Sequence, residues 1–430
     1  MIQTAERLRG LGRRVTNLWA VRNDPLAFLR KERSRGRIVP LELGPFNVVA
    51  VFDASAIHHV LQHPNRFDKS ARAQRVARTL LGNGLLTSEG TKWRSRRRIA
   101  QPAFRRPRLA VYATVMHEAS LALAERWRRA SGPIDLHQSM MHLALDIAAR
   151  TLFDDDLAED ASEVDAALQS ILENFRRMVT QPVARPEVFP VGPAVAYRKA
   201  ITKLDAVVAR LVERRRARGS DGEDLLHLWL HCGLDDEAVR DEVVTMLLAA
   251  HKTTANALTW AWVHLLRYPA ALASGALPWT DAVISESMRR FPPVWATVRT
   301  ATEPAMLQVD GEAPFEVSAG TTLLLAFHTM QHDPDFWPHP EGFDPGRWLR
   351  TPEVGGVQGQ AFPELPFAPF GSGQHKCIGA HFAQLEARLV LATMVPKVDV
   401  ELKMGQTIQT SPAATLRPDG PVWVVNRQGR

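Results

Sequence analysis

The chain has 430 residues, 45% hydrophobic and 23% charged, the proportions of a globular protein with ample material for a large core. Those fractions exclude a disordered, collagen-like or coiled-coil chain; no apolar run approaches the ~20 residues of a bilayer span, and arginines stand where a signal peptide is apolar, so a cytoplasmic protein is expected. The net charge of +7 is concentrated between Thr91 and Arg108, where Lys92, Arg94, Arg96, Arg97, Arg98, Arg105, Arg106 and Arg108 meet no acid.

No aromatic platform or nucleic-acid motif accompanies that basic run, so it reads as a docking face for an acidic protein or a partner for a buried anion, and nucleic-acid binding is not expected. An acidic knot follows at Asp154, Asp155, Asp156, Glu159, Asp160 and Glu163. Two cysteines, Cys232 and Cys377, are too few for a disulfide framework or a four-thiolate zinc site.

In chain order, residues 1–20 come first as a basic amphipathic segment. Ala5, Leu8, Val15, Leu18 and Trp19 fall near helical spacing with Arg7, Arg9, Arg13 and Arg14 between them, a pattern suited to weak contact with the inner face of an anionic membrane. Gly10 and Gly12 weaken that helix, and a flexible or packed segment is the plainer reading. Asp24-Pro25 opens a short helix. Val39 to Phe52, broken by Gly44-Pro45, reads as a hairpin, and Asp53 or Ser55 caps a helix running to His63-Pro64. Asn65 to Thr91 reads as a long loop with short helical pieces, of the kind that lines a ligand site. Helices alternate with breaks from Lys92 to about Phe175, and another spans Ala200 to Arg218.

Asp235 to about Tyr268 is the longest helix, closed by Pro269. Polar His251, Lys252, Thr253, Thr254 and Asn256 interrupt its middle, and the local reading is a solvated face or hydroxyls bonded back to the preceding turn. Glu286 and Arg289, three apart on the next helix, read in isolation as a surface ion pair. Last comes Phe370-Gly-Ser-Gly-Gln-His-Lys-Cys-Ile-Gly379, leading into a helix that ends near Pro396. A cysteine in a glycine-rich loop at a helix N-terminus has a stabilised thiolate, suited to a nucleophile or a metal ligand.

These residues resemble the haem-thiolate cytochromes P-450. The family signature Phe-x-x-Gly-x-(Arg or His)-x-Cys-x-Gly is met at Phe370, Gly373, His375, Cys377 and Gly379. Trp93-x-x-x-Arg97, Ala249-Ala-His-Lys-Thr-Thr254, Glu286-x-x-Arg289 and Arg347 in Phe343–Trp348 follow the family's order. The resemblance implies a mainly α fold with a smaller β-rich part near the N-terminus (α+β), residues 21–430 forming one catalytic domain. It implies haem b (iron protoporphyrin IX) with Cys377 as the iron's thiolate ligand and Phe370 beside the sulfur. Trp93, Arg97, Arg299 and His375 stand where the family binds the propionates, with Ala249, Ala250 and Gly379 against the haem; Arg96 and Arg98 are expected in solvent. Glu286, Arg289 and Arg347 match the buried network behind the cysteine loop, and Cys232 matches nothing.

Thr253 corresponds to the threonine that organises protons at dioxygen, but Lys252 replaces the usual acid and Ala250 the usual glycine. The favoured reading has Lys252 turned into a salt bridge while waters serve Thr253; the alternative is a fatty-acid peroxygenase with Lys252 holding a substrate carboxylate. A non-catalytic ligand sensor is the reading from a different class. The implied activity is monooxygenation of a hydrophobic terpenoid, carotenoid, fatty acid or steroid by a monomer, with electrons from a separate ferredoxin and its NAD(P)H-dependent reductase. Short stretches around Pro292-Pro293 and Thr415 to Pro418 are similar to bacterial carotenoid-ring hydroxylases.

Overall fold

The computed structural model describes residues 16–44, 46–69, 71–157, 160–180, 193–219, 222–268, 277–350 and 366–427. Asp24 caps α1 (Pro25–Arg33), accepting the Ala27 N–H at 2.9 Å with proline at the first helical position. Residues 16–23, just before it, are helical, and Leu18 packs onto the adjoining hairpin. The rest of the basic amphipathic segment lies outside the described residues. Asp53, rather than Ser55, caps α2 (Ala54–Gln62), taking the Ala56 N–H at 2.9 Å.

The expected loop from Asn65 to Thr91 is more ordered than its sequence suggests. It holds β3 (Phe67–Lys69) and the eleven-residue α3 (Ala71–Leu81), leaving 65–66 and 82–89 irregular among the described residues. The alanine, arginine and leucine of α3 are strong helix formers, whereas its apolar stripe is thinned by charge. Next come α4 (Gly90–Ala100), α5 (Arg106–Arg129), α6 (Leu136–Leu152), α7 (Ala161–Thr180), α8 (Pro193–Ala217) and α9 (Leu225–Leu230). The start of α8, seven residues before the expected one, is marked by proline at its first position. The acidic knot neutralises this helix: Arg214 meets Asp155 at 3.1 Å and Arg210 meets Asp160, while Glu159 lies outside the described residues.

The axis of the molecule is α10 (Asp236–Arg267). Asp235 accepts the Ala238 N–H at 2.7 Å, and Asp236 and Glu237 complement the dipole of the first turn. At 1.5 Å per residue its 32 residues reach roughly 48 Å. Val243, Leu247, Leu258, Trp260 and Trp262 are buried around its circumference rather than along one stripe, because α6, α11 (Leu277–Arg290) and the last helix, α12 (Ala380–Met394), pack on different sides of it. It ends with Tyr268 as C-cap; Pro269 lies outside the described residues. The cysteine loop leads directly into α12.

The β-rich part draws on more of the chain than its N-terminal region. The hairpin β1 (Ile38–Leu43) and β2 (Phe46–Val51) is joined by β5 (Thr297–Ala301) and β8 (Thr322–Leu325) in a five-stranded sheet ordered β1-β2-β8-β5-β3. Only β2 and β8 run parallel; β3 and β5 are antiparallel with Lys69 opposite Arg299. Shorter sheets pair β4 (Ile134–Asp135) with β12 (Trp423–Asn426) and β9 (Val400–Leu402), β6 (Ala305–Leu307) with β7 (Phe315–Val317), and β10 (Thr410–Pro412) with β11 (Leu416–Pro418). Strands of two to five residues show too little alternation to stand out in sequence.

Candidate active site

Two chain reversals set the cysteine loop. The Cys377 N–H donates to the Phe370 carbonyl at 3.0 Å and the Lys376 N–H to that of Gly373 at 3.1 Å. Gly373 has φ +68°, and a Cβ there would come within 2.2 Å of the Leu61 carbonyl oxygen, so the loop lies flat on α2 only with glycine at this position. Gly379 is the N-cap of α12, two residues beyond Cys377, so the sulfur lies near the positive end of that helix. Burial pushes the thiol up, against the Gly379 backbone N–H and the charges of Arg97 and Lys376, which pull it down. The sulfur is crowded by protein on its own side yet its residue remains exposed, so it faces open space.

Cations gather around that space. Arg97 donates to the Lys376 carbonyl at 2.9 Å and lies 5.5 Å over the Trp93 ring, which is itself 4.2 Å from the ring of His375. Arg299 is buried and among the described residues donates to Val298 O at 2.8 Å and to the Thr297 hydroxyl, and Lys69, directly across the β3–β5 pair, donates to Leu86 O and Ser88 O, each at 2.8 Å. Burial lowers Arg97, Arg299 and Lys69, the last to about 8, and burial with these three cations brings His375 down to about 3. Among the described residues neither Arg97 nor Arg299 has a carboxylate within ion-pair distance, and buried His375 Nδ1 has no hydrogen-bond partner. Glu89, whose carboxylate accepts the Lys69 N–H at 2.6 Å, offsets part of the repulsion between Lys69 and Arg299, and like charges facing each other across a strand pair are stabilised further by an added anion. The donor set therefore fits a ligand with two carboxylates. Lys69 is the member that sequence reading missed; its only signal is the strand register.

On α10 the accessible residues at mid-length are Ala249, with Leu248, Ala250 and Thr253 beside it; their neighbours on the helix are buried. The Thr253 hydroxyl donates to Ala249 O at 2.7 Å, the back-bonded arrangement expected for it. The other polar residues are not solvated: His251, Lys252, Thr254 and Asn256 are all buried. Lys252 turns away from Thr253 to pair with Asp165 of α7, and Gln138 of α6 donates to the other Asp165 oxygen at 3.3 Å. Burial lowers Lys252, while Asp165 is lowered by this pairing despite its own burial. The pair borders a cavity of about 240 Å³ between α6, α7, α10 and the β10–β11 hairpin.

Behind the loop, Glu286 and Arg289 are fully buried, correcting the surface-pair reading. Glu286 accepts Arg289 Nε and Nη2 at 2.9 Å, Arg347 Nε at 3.2 Å and Trp348 Nε1 at 2.9 Å. Arg289 donates to Gln331 O at 2.9 Å, and the Gln331 side chain accepts the Ala368 N–H at the start of the cysteine loop. Arg96 is a second correction: it is 5% exposed and pairs with Glu242 at 2.6 Å, whereas Arg98 is exposed, as expected. A helix in contact with protein on two sides buries arginines that a charge run alone places in water. Cys232 is exposed, its thiol donating to Trp229 O.

Comparison with known proteins matches residues 15–274 and 271–424 to the family model described as Cytochrome P450. The chain belongs to the cytochrome P450 family. Among similar relatives of this P450 are two proteins of Streptomyces melanosporofaciens. Cyclooctatin synthase is 32% identical over 93% of this chain and 91% of its own length. Cyclooctat-9-en-7-ol 5-monooxygenase is 32% identical over 89% of this chain and 87% of its own. The crystal structure of CYP175A1 from Thermus thermophillus superposes with a TM-score of 0.79 at 26% identity, covering 95% of this chain and 97% of that one. The protein has the P450 fold, its cofactor is haem b, and it is a P450 monooxygenase, an enzyme class that acts on hydrophobic substrates with redox partners. Among the described residues no helix is long and apolar enough to cross a membrane.

Proposed function

We propose that this P450 hydroxylates a cyclic terpenoid with electrons delivered by a ferredoxin, that Cys377 would hold the haem iron through its thiolate, and that the Thr253 hydroxyl would serve proton delivery. When bound, haem supplies dioxygen activation, with thiolate donation favouring O–O cleavage. Trp93, Arg97, Arg299, His375 and Lys69 would hold its two propionates, with Phe370 and Gly379 on the thiolate side and Ala249 and Ala250 on the other. Thr253, freed from acid partners, exchanges its hydroxyl proton with water, and its bond to Ala249 O fixes where that hydroxyl sits.

The observation that carries the reading is the convergence of an exposed cysteine with Arg97 and Arg299, which among the described residues have no carboxylate within ion-pair distance, and with Lys69 and His375 beside them. Leu86, Ala249 and Val294 are apolar yet exposed, which suits a hydrophobic ligand, and the named chemistry of the Streptomyces relatives supports a cyclic terpenoid. The engagement of Lys252 by Asp165 supports a monooxygenase rather than a peroxygenase, since a paired ammonium has no charge to spare for a substrate carboxylate. Lys92, Arg94 and Lys376 are exposed on α4 and the cysteine loop and suit an acidic ferredoxin surface.

The test is a carbon-monoxide difference spectrum of the reduced protein, then turnover with ferredoxin, reductase and NADPH on a panel of terpenoids, carotenoids, fatty acids and steroids. A thiolate-type band with terpenoid hydroxylation is expected. The band without turnover on any member refutes the enzyme reading, and turnover of fatty acids driven by peroxide alone refutes the ferredoxin-dependent one.

A further inference from the structure

The loop 82–88 is held from two sides. From α10, Asp241 accepts the Asn83 N–H at 2.7 Å and Glu242 accepts the Leu85 N–H at 3.1 Å. From β3, the Lys69 ammonium binds the carbonyls of Leu86 and Ser88. Contact with α10 is close enough that a Cβ on Gly82, at φ +57°, would fall 1.9 Å from Asp241 Oδ1. The loop's own Thr87 hydroxyl closes it by donating to Gly82 O at 2.7 Å.

Glu242 does more than accept one N–H. Its Oε2 takes Leu85 while its Oε1 takes Arg96 Nη1 at 2.6 Å, and both side chains are buried. Arg96 belongs to α4, the helix that carries Trp93 and Arg97 toward the cationic cluster. Leu85 and Trp93 also share one core cluster. A single carboxylate therefore joins the loop beside the open space to the helix that presents the propionate partners, and the loop's far side is tied by Lys69 to the same cluster.

We propose that Glu242 is a positioning residue for both elements, so that order in the 82–88 loop and retention of haem are thermodynamically coupled although Glu242 touches neither haem nor substrate. The inference rests on Trp93 and Arg97 serving the haem site. Coupling of this kind is reciprocal: whatever loosens the loop weakens the hold on the cofactor, and whatever fills the site firms the loop. The carboxylate is required because it accepts on both oxygens; the amide of glutamine offers one acceptor and turns a donor toward Arg96 or Leu85.

The experiment compares ferric holoenzyme of wild type, Glu242→Gln, Glu242→Asp and Asp241→Asn. Haem transfer to excess apomyoglobin is followed in the Soret band, and amide hydrogen exchange is read by mass spectrometry. Glu242→Gln is expected to lose haem at least tenfold faster and to exchange faster in 83–88 and α4, with the β1–β2 hairpin unchanged; Glu242→Asp should recover part of both. Asp241→Asn, whose amide oxygen still accepts the Asn83 N–H, should follow in the same direction by a smaller factor and serves if Glu242→Gln does not fold. Faster loop exchange with haem loss within twofold of wild type overturns the coupling, as does a uniform rise in exchange across the chain. A wild-type protein with no thiolate-type spectrum would instead overturn the haem reading, a result distinguishable from both.

Discussion

Removing one partner of the Lys252–Asp165 pair tests whether the replaced acid of α10 has become a structural cation. Both side chains are about nine-tenths buried, the ammonium 10% and the carboxylate 12% exposed. Asp165→Asn keeps the shape and leaves the ammonium without its charge partner, a change that costs about 3–5 kcal/mol when a buried pair is broken. With an unfolding entropy of ~2.1 cal/mol/K per residue, a chain of 430 residues has about 0.9 kcal/mol/K in all, so the midpoint should fall by roughly 3–5 °C. Replacing both groups, Asp165→Leu with Lys252→Met, removes the uncompensated charge and should return the protein to within about 1–2 kcal/mol of wild type. The assay is denaturation of the haem-bound protein followed by far-ultraviolet circular dichroism and by the Soret band. A loss below ~1 kcal/mol for Asp165→Asn, or a double variant as unstable as the sum of the singles, refutes the reasoning.

Cys377→Ser is expected to abolish the thiolate-type carbonyl spectrum and turnover, with Cys232→Ser changing neither; a retained spectrum removes Cys377 as ligand. Thr253→Ala should keep NADPH consumption but release peroxide, cutting product per NADPH by roughly tenfold or more, and an unchanged yield would assign proton delivery to water alone. Acid should unfold the protein in steps set by buried neutral histidines. Burial lowers His251 to about 3 and His332 to about 4, so the stability each contributes is complete above the unfolded value near 6.5 and is lost as pH falls toward the folded value. For His332 that amounts to about 3 kcal/mol by pH 4. His332→Gln should flatten the denaturation profile between pH 6.5 and 4, and an unchanged slope would exclude it as a contributor.

Much of the site was legible because its chemistry is local. Phe370 to Gly379 and Trp93 with Arg97 are short spacings that the structure brings together around the cysteine, Glu286 with Arg289 showed its pairing but not its burial, and Asp24-Pro25 and Asp235 mark helix starts through caps that need only neighbours in sequence. Burial was not legible. Arg96 lies in the same basic run as exposed Arg94, and only Glu242, 146 positions away, makes it a core residue. Lys252 shows what it lacks relative to an acid, whereas its partner Asp165 is 87 positions earlier and has no motif of its own. Lys69 entered the cationic cluster through a strand register with β5, a pairing across 230 positions that three-residue strands do not announce.

That register bears on how the protein is made. β3 is the outermost strand of its sheet and only three residues long, and it seats a lysine against an arginine. Glu89, which accepts the Lys69 N–H at 2.6 Å, offsets part of their repulsion and an anionic ligand would offset the rest; without it β3 is held less firmly over the hydrogen-bonding edge of β5, which is where neighbouring chains add strands to one another. Cells starved of iron or of porphyrin precursors should thus accumulate this polypeptide in inclusion bodies, while supplementing the culture should shift the same translation product into the supernatant.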